Sequence, residues 1–300
     1  MKESELKALT KEISTLELTD SERSKLDGSF ISLPCGNTHY QMEGNGEAVV
    51  LVHGYATPYY IYDKVYNRLI KEGYKVLRYD LMGRGLSERI KTDYTPEFFA
   101  RQLYELTQAL LGDEKFYLFG TSMGGTVTTA FCRLYPGHVK KLILLAPAGM
   151  DTFKPPLFMK LTSAPVLGSV LFDIIGGKVL LKKCASELKY VPQSEVDYYM
   201  RSFADSVKYK GFEKCTLSSL RNTILNTGDA TEGYRSVANQ NIPMLVIWGT
   251  DDKTMPYYQI KRMKQICYHA QYETFEGSGH VFLFDEGERT MDIVVPFMKK

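Results

Sequence analysis

The sequence predicts an α/β fold: a mostly parallel central sheet of about eight strands with helices on both faces and a helical insertion. Short apolar runs alternate with helix-patterned stretches from Ala48 to Leu145, and again from Met244 to the C-terminus. Runs such as Ala48–Val52 carry no polar residue, as a strand buried on both faces requires. After Ala146-Pro147-Ala148-Gly149 the alternation stops for about ninety residues, which marks the insertion.

Residues 1–28 read as a polar helical extension, with Thr19-Asp20-Ser21-Glu22 supplying capping residues. Strands are expected at Ser29–Leu33 and Thr38–Glu43, joined by the turn Pro34-Cys35-Gly36-Asn37. Four further strands follow at Ala48–Val52, Lys75–Tyr79, Phe116–Phe119 and Leu142–Leu145. Helical patterns at Tyr62–Lys71, Pro96–Leu111 and Gly124–Tyr135 separate them. The last strands are expected at Met244–Trp248 and Gln271–Phe275, and the last helix at Val281–Met298. Residues 29–150 and 241–300 then form one domain around the sheet, and 151–240 a helical cap. Within the cap, Leu157–Ile175 is mostly apolar, but Lys160, Pro165, Gly168 and Asp173 argue against a membrane span. Helices packing on the main domain are expected, the alternative being a lid that touches a lipid interface through 157–175.

Among 300 residues, 37 basic and 35 acidic side chains leave a net charge of +2, which gives no field for nucleic acid. The start, Met1-Lys2-Glu3-Ser4-Glu5-Leu6-Lys7, is charged and shows no apolar secretory region. Cys35, Cys132, Cys184, Cys215 and Cys267 are scattered, without metal or C-x-x-C spacing. These features fit a cytoplasmic protein with reduced thiols, and no metal or cofactor is expected.

The chemistry centres on Gly120-Thr121-Ser122-Met123-Gly124, a G-x-S-x-G between a strand and a helix. Lifting a serine hydroxyl clear of a sheet needs a tight, strained turn, and Gly120 and Gly124 remove the side chains that would collide. Ser122 is thereby the candidate nucleophile. A serine needs a base, and His280 sits in the loop Glu276-Gly277-Ser278-Gly279-His280 after the last strand. The other histidines lie elsewhere: His39, His138 and His269 read as surface or packing residues. The carboxylate that orients the base is expected between serine and histidine, where Asp251 and Asp252 follow the strand Met244–Trp248. Acyl transfer also needs N–H donors for the oxyanion. Met123, at the start of its helix, offers one. Tyr55, in the loop Val52-His53-Gly54-Tyr55-Ala56-Thr57-Pro58, offers a second, while His53 reads either as part of that motif or as a buried packing histidine.

In this arrangement the chain resembles the α/β-hydrolase superfamily, in its cap-bearing serine-hydrolase branch of esterases and lipases, over residues 29–300. His53-Gly54 resembles the family's oxyanion-loop motif, and Asp80-Leu81-Met82-Gly83-Arg84-Gly85-Leu86-Ser87 its D-x-x-G-x-G-x-S turn, for which a structural role is implied. The family's acid stands four residues before a proline, which implies Asp252 with Pro256. Gly279-His280 followed by Glu286 resembles the final histidine motif, with Glu286 anchoring the last helix. Branches with an aspartate nucleophile are excluded by Ser122. The resemblance implies a Ser122–His280–Asp252 triad, with Tyr55 and Met123 as the oxyanion hole, for hydrolysis of an ester, thioester, amide or activated C–C bond, or acyl transfer, without a cofactor; the apolar cap favours esters of small to medium apolar acyl groups. Two alternatives stand beside it: a C–C bond hydrolase of a dienol-type ring-cleavage product, and a receptor that keeps the triad. Phe153, Leu157, Phe158, Leu161, Phe172 and Tyr198 of the cap are the expected apolar pocket lining.

Overall fold

The computed structural model describes residues 11–188 and 191–300. Eight strands form one sheet: β1 (Ser29–Leu33), β2 (Gly36–Glu43), β3 (Ala48–Val52), β4 (Lys75–Tyr79), β5 (Phe116–Thr121), β6 (Val139–Leu145), β7 (Met244–Gly249) and β8 (Gln271–Phe275). Their order is β1-β2-β4-β3-β5-β6-β7-β8. β2 runs antiparallel to both β1 and β4, and every pair from β4 to β8 is parallel. The apolar runs occupy the centre: every residue of β3, β5 and β7 is buried, because helices cover both faces.

The described part of the expected N-terminal extension holds a single helical turn, α1 (Asp20–Arg23), whose N-cap Thr19 accepts the Glu22 N–H. A longer polar helix is not formed there, because residues 14–16 are used in an extended pairing instead. Their N–H groups donate to the carbonyls of Val207 and Lys208 at 2.8–3.0 Å, and Lys210 N–H returns to Leu16. The part of that expectation falling on residues 1–10 lies outside the described residues.

The main helices follow the pattern: α2 (Asp63–Lys71), α3 (Pro96–Leu111, capped by Thr95) and α4 (Met123–Leu134). Among the described residues, the elements between β6 and β7 are all helical: α5 (Leu157–Thr162), α6 (Leu167–Glu187), α7 (Gln193–Val207), α8 (Phe212–Ser219), a π turn (Leu220–Ile224) and α9 (Thr227–Asn239). The stretch Leu157–Ile175 is split after Thr162, ahead of Pro165, whose ring cannot continue a helix. Gly168 allows the two pieces to meet, since a Cβ there would lie 2.3 Å from the Thr162 carbonyl oxygen. α10 (Ile260–Ile266) and α11 (Gly287–Lys299) complete the chain.

The final helix therefore starts at Gly287 and not at Val281. The reason is the unbroken apolar run Val281-Phe282-Leu283-Phe284, all four buried. Four consecutive inward side chains cannot share one helix face, so the chain turns through them before the helix begins.

Candidate active site

β5 ends directly in Ser122, which has φ +52° and stands at the N-cap of α4. The turn is as tight as the glycines imply. A Cβ on Gly120 would sit 2.6 Å from the Gly124 carbonyl oxygen, and one on Gly124 only 2.3 Å from that of Val52. Backbone bonds hold the strained residue: Ser122 N–H donates to Leu145, and its carbonyl accepts from Gly125 and Ala148.

His280 and Asp252 arrive from the loops after β8 and β7. His280 Nε2 lies 2.9 Å from Ser122 Oγ, and Nδ1 lies 2.7 Å from Asp252 Oδ2. An ionised carboxylate only accepts, so Nδ1 carries the proton and Nε2 is left to accept from the serine. Asp252 is fixed in turn. Its Oδ1 accepts the Thr254 and Met255 N–H groups at 2.8 Å each, and Trp248 Nε1 clamps the same loop at the Met255 carbonyl. Asp251 is exposed, and of the two aspartates it is Asp252 that meets His280. Burial presses the His280 ring toward its neutral form, but the carboxylates of Asp252 and Glu187 outweigh it and hold its pKa above the ordinary value.

The loop after β3 faces the serine. A Cβ on Gly54 would stand 3.1 Å from the Ser122 Cβ, so the missing side chain keeps this approach open. His53 is fully buried, donating from Nδ1 to the Gly54 carbonyl and accepting the Leu81 N–H at Nε2. Burial lowers its pKa to about 4, so it is a neutral structural histidine. Among the described residues, neither the Tyr55 nor the Met123 N–H donates a hydrogen bond within the chain, which leaves both free for a ligand oxygen. Asp80 binds His39 Nδ1 and the N–H groups of Tyr59 and Leu86, as a structural turn would. His39 is thus a packing residue. His269 is exposed and His138 partly so.

The cavity above Ser122 holds about 70 Å³ of free space. Its sheet side is made by Gly54–Thr57, Ile61, Ser122, Thr254, His280 and Val281, and its roof by Leu180, Lys183, Cys184 and Glu187 of α6 with Phe203 of α7. None of the six cap residues expected from the sequence lines it. Phe172 is buried in the helical packing, Leu157 and Leu161 are exposed, and Tyr198 donates to Asp63 beside a separate cavity. Phe153 and Phe158 pack partly buried against the core. The second half of α6, beyond the break before Pro165, covers the site instead. Lys183 and Glu187, four residues apart, look in sequence like an ordinary solvent-facing helix pair.

The family model of serine aminopeptidase S33 hydrolases matches residues 45–287. The chain is similar to a protein named Lipase 3 from Moraxella sp., at 28% identity over 276 residues, covering 89% of this chain and 84% of that protein. It is similar also to a 2-hydroxy-6-oxononadienedioate/2-hydroxy-6-oxononatrienedioate hydrolase of Burkholderia vietnamiensis, at 26% identity over 269 residues, covering 87% and 91%. An esterase of Exiguobacterium antarcticum shares the fold, with a TM-score of 0.73, 24% identity and coverage of 91% of this chain and all of that one. A match that spans the loop after β3, the elbow, both partner loops and the helical insertion places this chain in the serine aminopeptidase S33 family of α/β hydrolases.

Proposed function

We propose that the protein is a carboxylic ester hydrolase working through a Ser122 acyl-enzyme. The observation that carries this reading is the unbroken hydrogen-bonded line from Asp252 through His280 to Ser122 Oγ. His280 Nε2 takes the hydroxyl proton as Ser122 attacks the ester carbonyl, and Asp252 stabilises the imidazolium that forms. The Tyr55 and Met123 N–H groups receive the oxyanion, aided by the dipole of α4. His280 then protonates the departing alcohol. Water, deprotonated by the same ring, attacks the acyl-enzyme and releases the acid.

The roof formed by Leu180, Cys184 and Phe203 with the limited free space supports short to medium apolar acyl groups. In this reading residues 151–240 act as a cap and residues 1–28 as an extension, which residues 14–16 strap to it. Five buried, unpaired cysteines support a reducing cytoplasm. An exposed apolar stripe, Leu157, Leu161, Val166, Leu167, Val170 and Ile174, supports contact of this cap with a lipid surface. No described helix is long and apolar enough to cross a membrane.

The test is hydrolysis of p-nitrophenyl esters from acetate to palmitate, with Ser122→Ala as blank. A chain-length optimum that disappears in the variant supports the reading. No turnover while Ser122 still reacts with a fluorophosphonate overturns the ester assignment. The C–C hydrolase reading then leads, favoured by the Lys183 ammonium in the cavity wall and by the activity named for the Burkholderia relative. Slow single-turnover acylation alone favours the receptor. Ester hydrolysis stands ahead because Lys183 is already paired with Glu187.

A further inference from the structure

The roof of the cavity carries a polar network that the proposed acyl-transfer chemistry leaves unused. Lys183 Nζ donates to Glu187 Oε1 and to Thr254 Oγ1 at 2.7 Å each, and Thr254 Oγ1 donates to Glu187 Oε1 at 2.6 Å. All three residues line the same cavity as Ser122 and His280. The Glu187 side chain is largely shielded, with 19% of its surface exposed, so its charge is poorly screened by water. Thr254 then passes the connection on, since its own N–H donates to Asp252 Oδ1. One helix of the insertion is therefore tied to the loop that holds the acid.

We propose that Glu187 and Lys183 are a pair of positioning residues with opposed charges, which face His280 across the cavity from the cap side and lock α6 onto the Asp252 loop through Thr254. This rests on the esterase reading given above. The charged groups facing His280 are Asp252 from the loop after β7 and Glu187 and Lys183 from α6. Ser122, Tyr55 and Cys184 are the neutral titratable groups of the same cavity. Glu187 adds a second carboxylate that favours the imidazolium, and Lys183 opposes it. An ordinary surface i,i+4 pair would have no such effect on a ring across a cavity. This pair is aimed into the site, so its two members act on His280 in opposite directions.

The experiment compares Glu187→Gln, Glu187→Asp and Lys183→Met with the wild type. Two readouts are used: the pH profile of kcat/KM on a p-nitrophenyl ester, and the His280 imidazole titration by NMR in the Ser122→Ala background. Removing the carboxylate makes the ring less basic, so Glu187→Gln moves the acid limb and the titration down. Removing the ammonium makes it more basic, so Lys183→Met moves both up. Glu187→Asp keeps the charge and returns the limb toward the wild-type position. Shifts of the same sign in Glu187→Gln and Lys183→Met, or none, overturn the proposal, because loosening of the helix alone has no preferred sign. The NMR titration needs no turnover, so it separates a failure of this inference from a failure of the esterase reading.

Discussion

Arg84 Nε donates to the Tyr55 carbonyl oxygen at 2.6 Å, so a fully buried guanidinium holds the loop residue proposed as an oxyanion donor. Its Nη2 donates to Ser219 Oγ at 2.7 Å, its Nη1 has no partner, and no carboxylate pairs with it among the described residues. Burial accordingly lowers its pKa. A buried cation held only by neutral groups and the rings of Tyr55 and Tyr94, 5.7 and 6.0 Å away, is costly to keep, and apolar replacement of such groups is often neutral for stability.

Arg84→Met is therefore expected to lower kcat by roughly tenfold or more, by loosening the Tyr55 peptide and removing positive charge behind the oxyanion. KM and the urea midpoint should change little, because the charge relieved and the hydrogen bonds lost are of similar size, about 1–3 kcal/mol. Steady-state kinetics and urea unfolding decide it. An unchanged kcat would make Arg84 a packing residue.

Ser122 at φ +52° stores backbone strain that its chemistry does not need once the hydroxyl is gone. Ser122→Ala and Ser122→Gly should both lose several orders of magnitude in ester turnover. Their stabilities should differ: glycine relaxes the positive φ and is expected to exceed alanine by about 1 kcal/mol despite its greater unfolded-state freedom. Equal urea midpoints for the two variants would show that the elbow is not strained. Gly124→Ala, in contrast, meets backbone at 2.3 Å and should fold poorly or not at all.

The sheet and the elbow were legible because their causes are local. Strand runs such as Ala48–Val52 are apolar on both faces, and the serine turn needs glycine at 120 and 124 whatever surrounds it. The histidine and acid loops followed from their places after the last two strands. The roof was not legible. Which face of α6 meets the site depends on the break before Pro165 and on how the helices pack, neither of which a periodicity contains. Glu187 and Lys183 carry no local mark that separates them from Lys178 or Lys182. The helix expected from Val281 failed for a related reason, since four successive core side chains imitate a helix in composition and not in direction.

The apolar stripe on α5 and the first half of α6 has its own consequence. Leu167 is 81% exposed, Val166 74% and Leu157 71%, in a stretch that also exposes Lys154, Lys160 and Lys178 and two acids, Asp173 and the Arg262-paired Asp151. Lysines unpaired among the described residues, in the same stretch as exposed apolar side chains, suit an anionic lipid surface better than a neutral one. The protein should sediment with vesicles containing phosphatidylglycerol, less with phosphatidylcholine alone, and less again at high salt. Leu167→Glu combined with Ile174→Glu should abolish sedimentation and leave hydrolysis of p-nitrophenyl acetate unchanged. No sedimentation, with concentration-dependent dimerisation in size exclusion instead, would assign the stripe to a second copy of this chain.

Stability should depend on pH through His53, and the sign follows from its burial. Its folded-state pKa, about 4, lies below the roughly 6.5 expected when unfolded, so between these values the unfolded chain binds more protons. Stability is therefore full above about pH 6.5 and falls as the solution is acidified toward pH 4, by about 3 kcal/mol in all. Asp80 acts in the same direction at lower pH. Burial would raise its carboxyl, but the His39 hydrogen bond and charge hold it below the ordinary value, and that contribution is lost as pH falls through its folded pKa. His280 acts oppositely, since its raised pKa stabilises the fold below about pH 6.5 and that gain disappears as pH rises through the folded value. Comparing wild type with His53→Asn cancels the His280 contribution, while Asp80, which feels the His53 charge, is lost only at lower pH than the window compared. The urea midpoint of the wild type should drop more steeply than that of the variant between pH 6.5 and 4. Parallel curves would mean that His53 takes up its proton in the folded protein without cost.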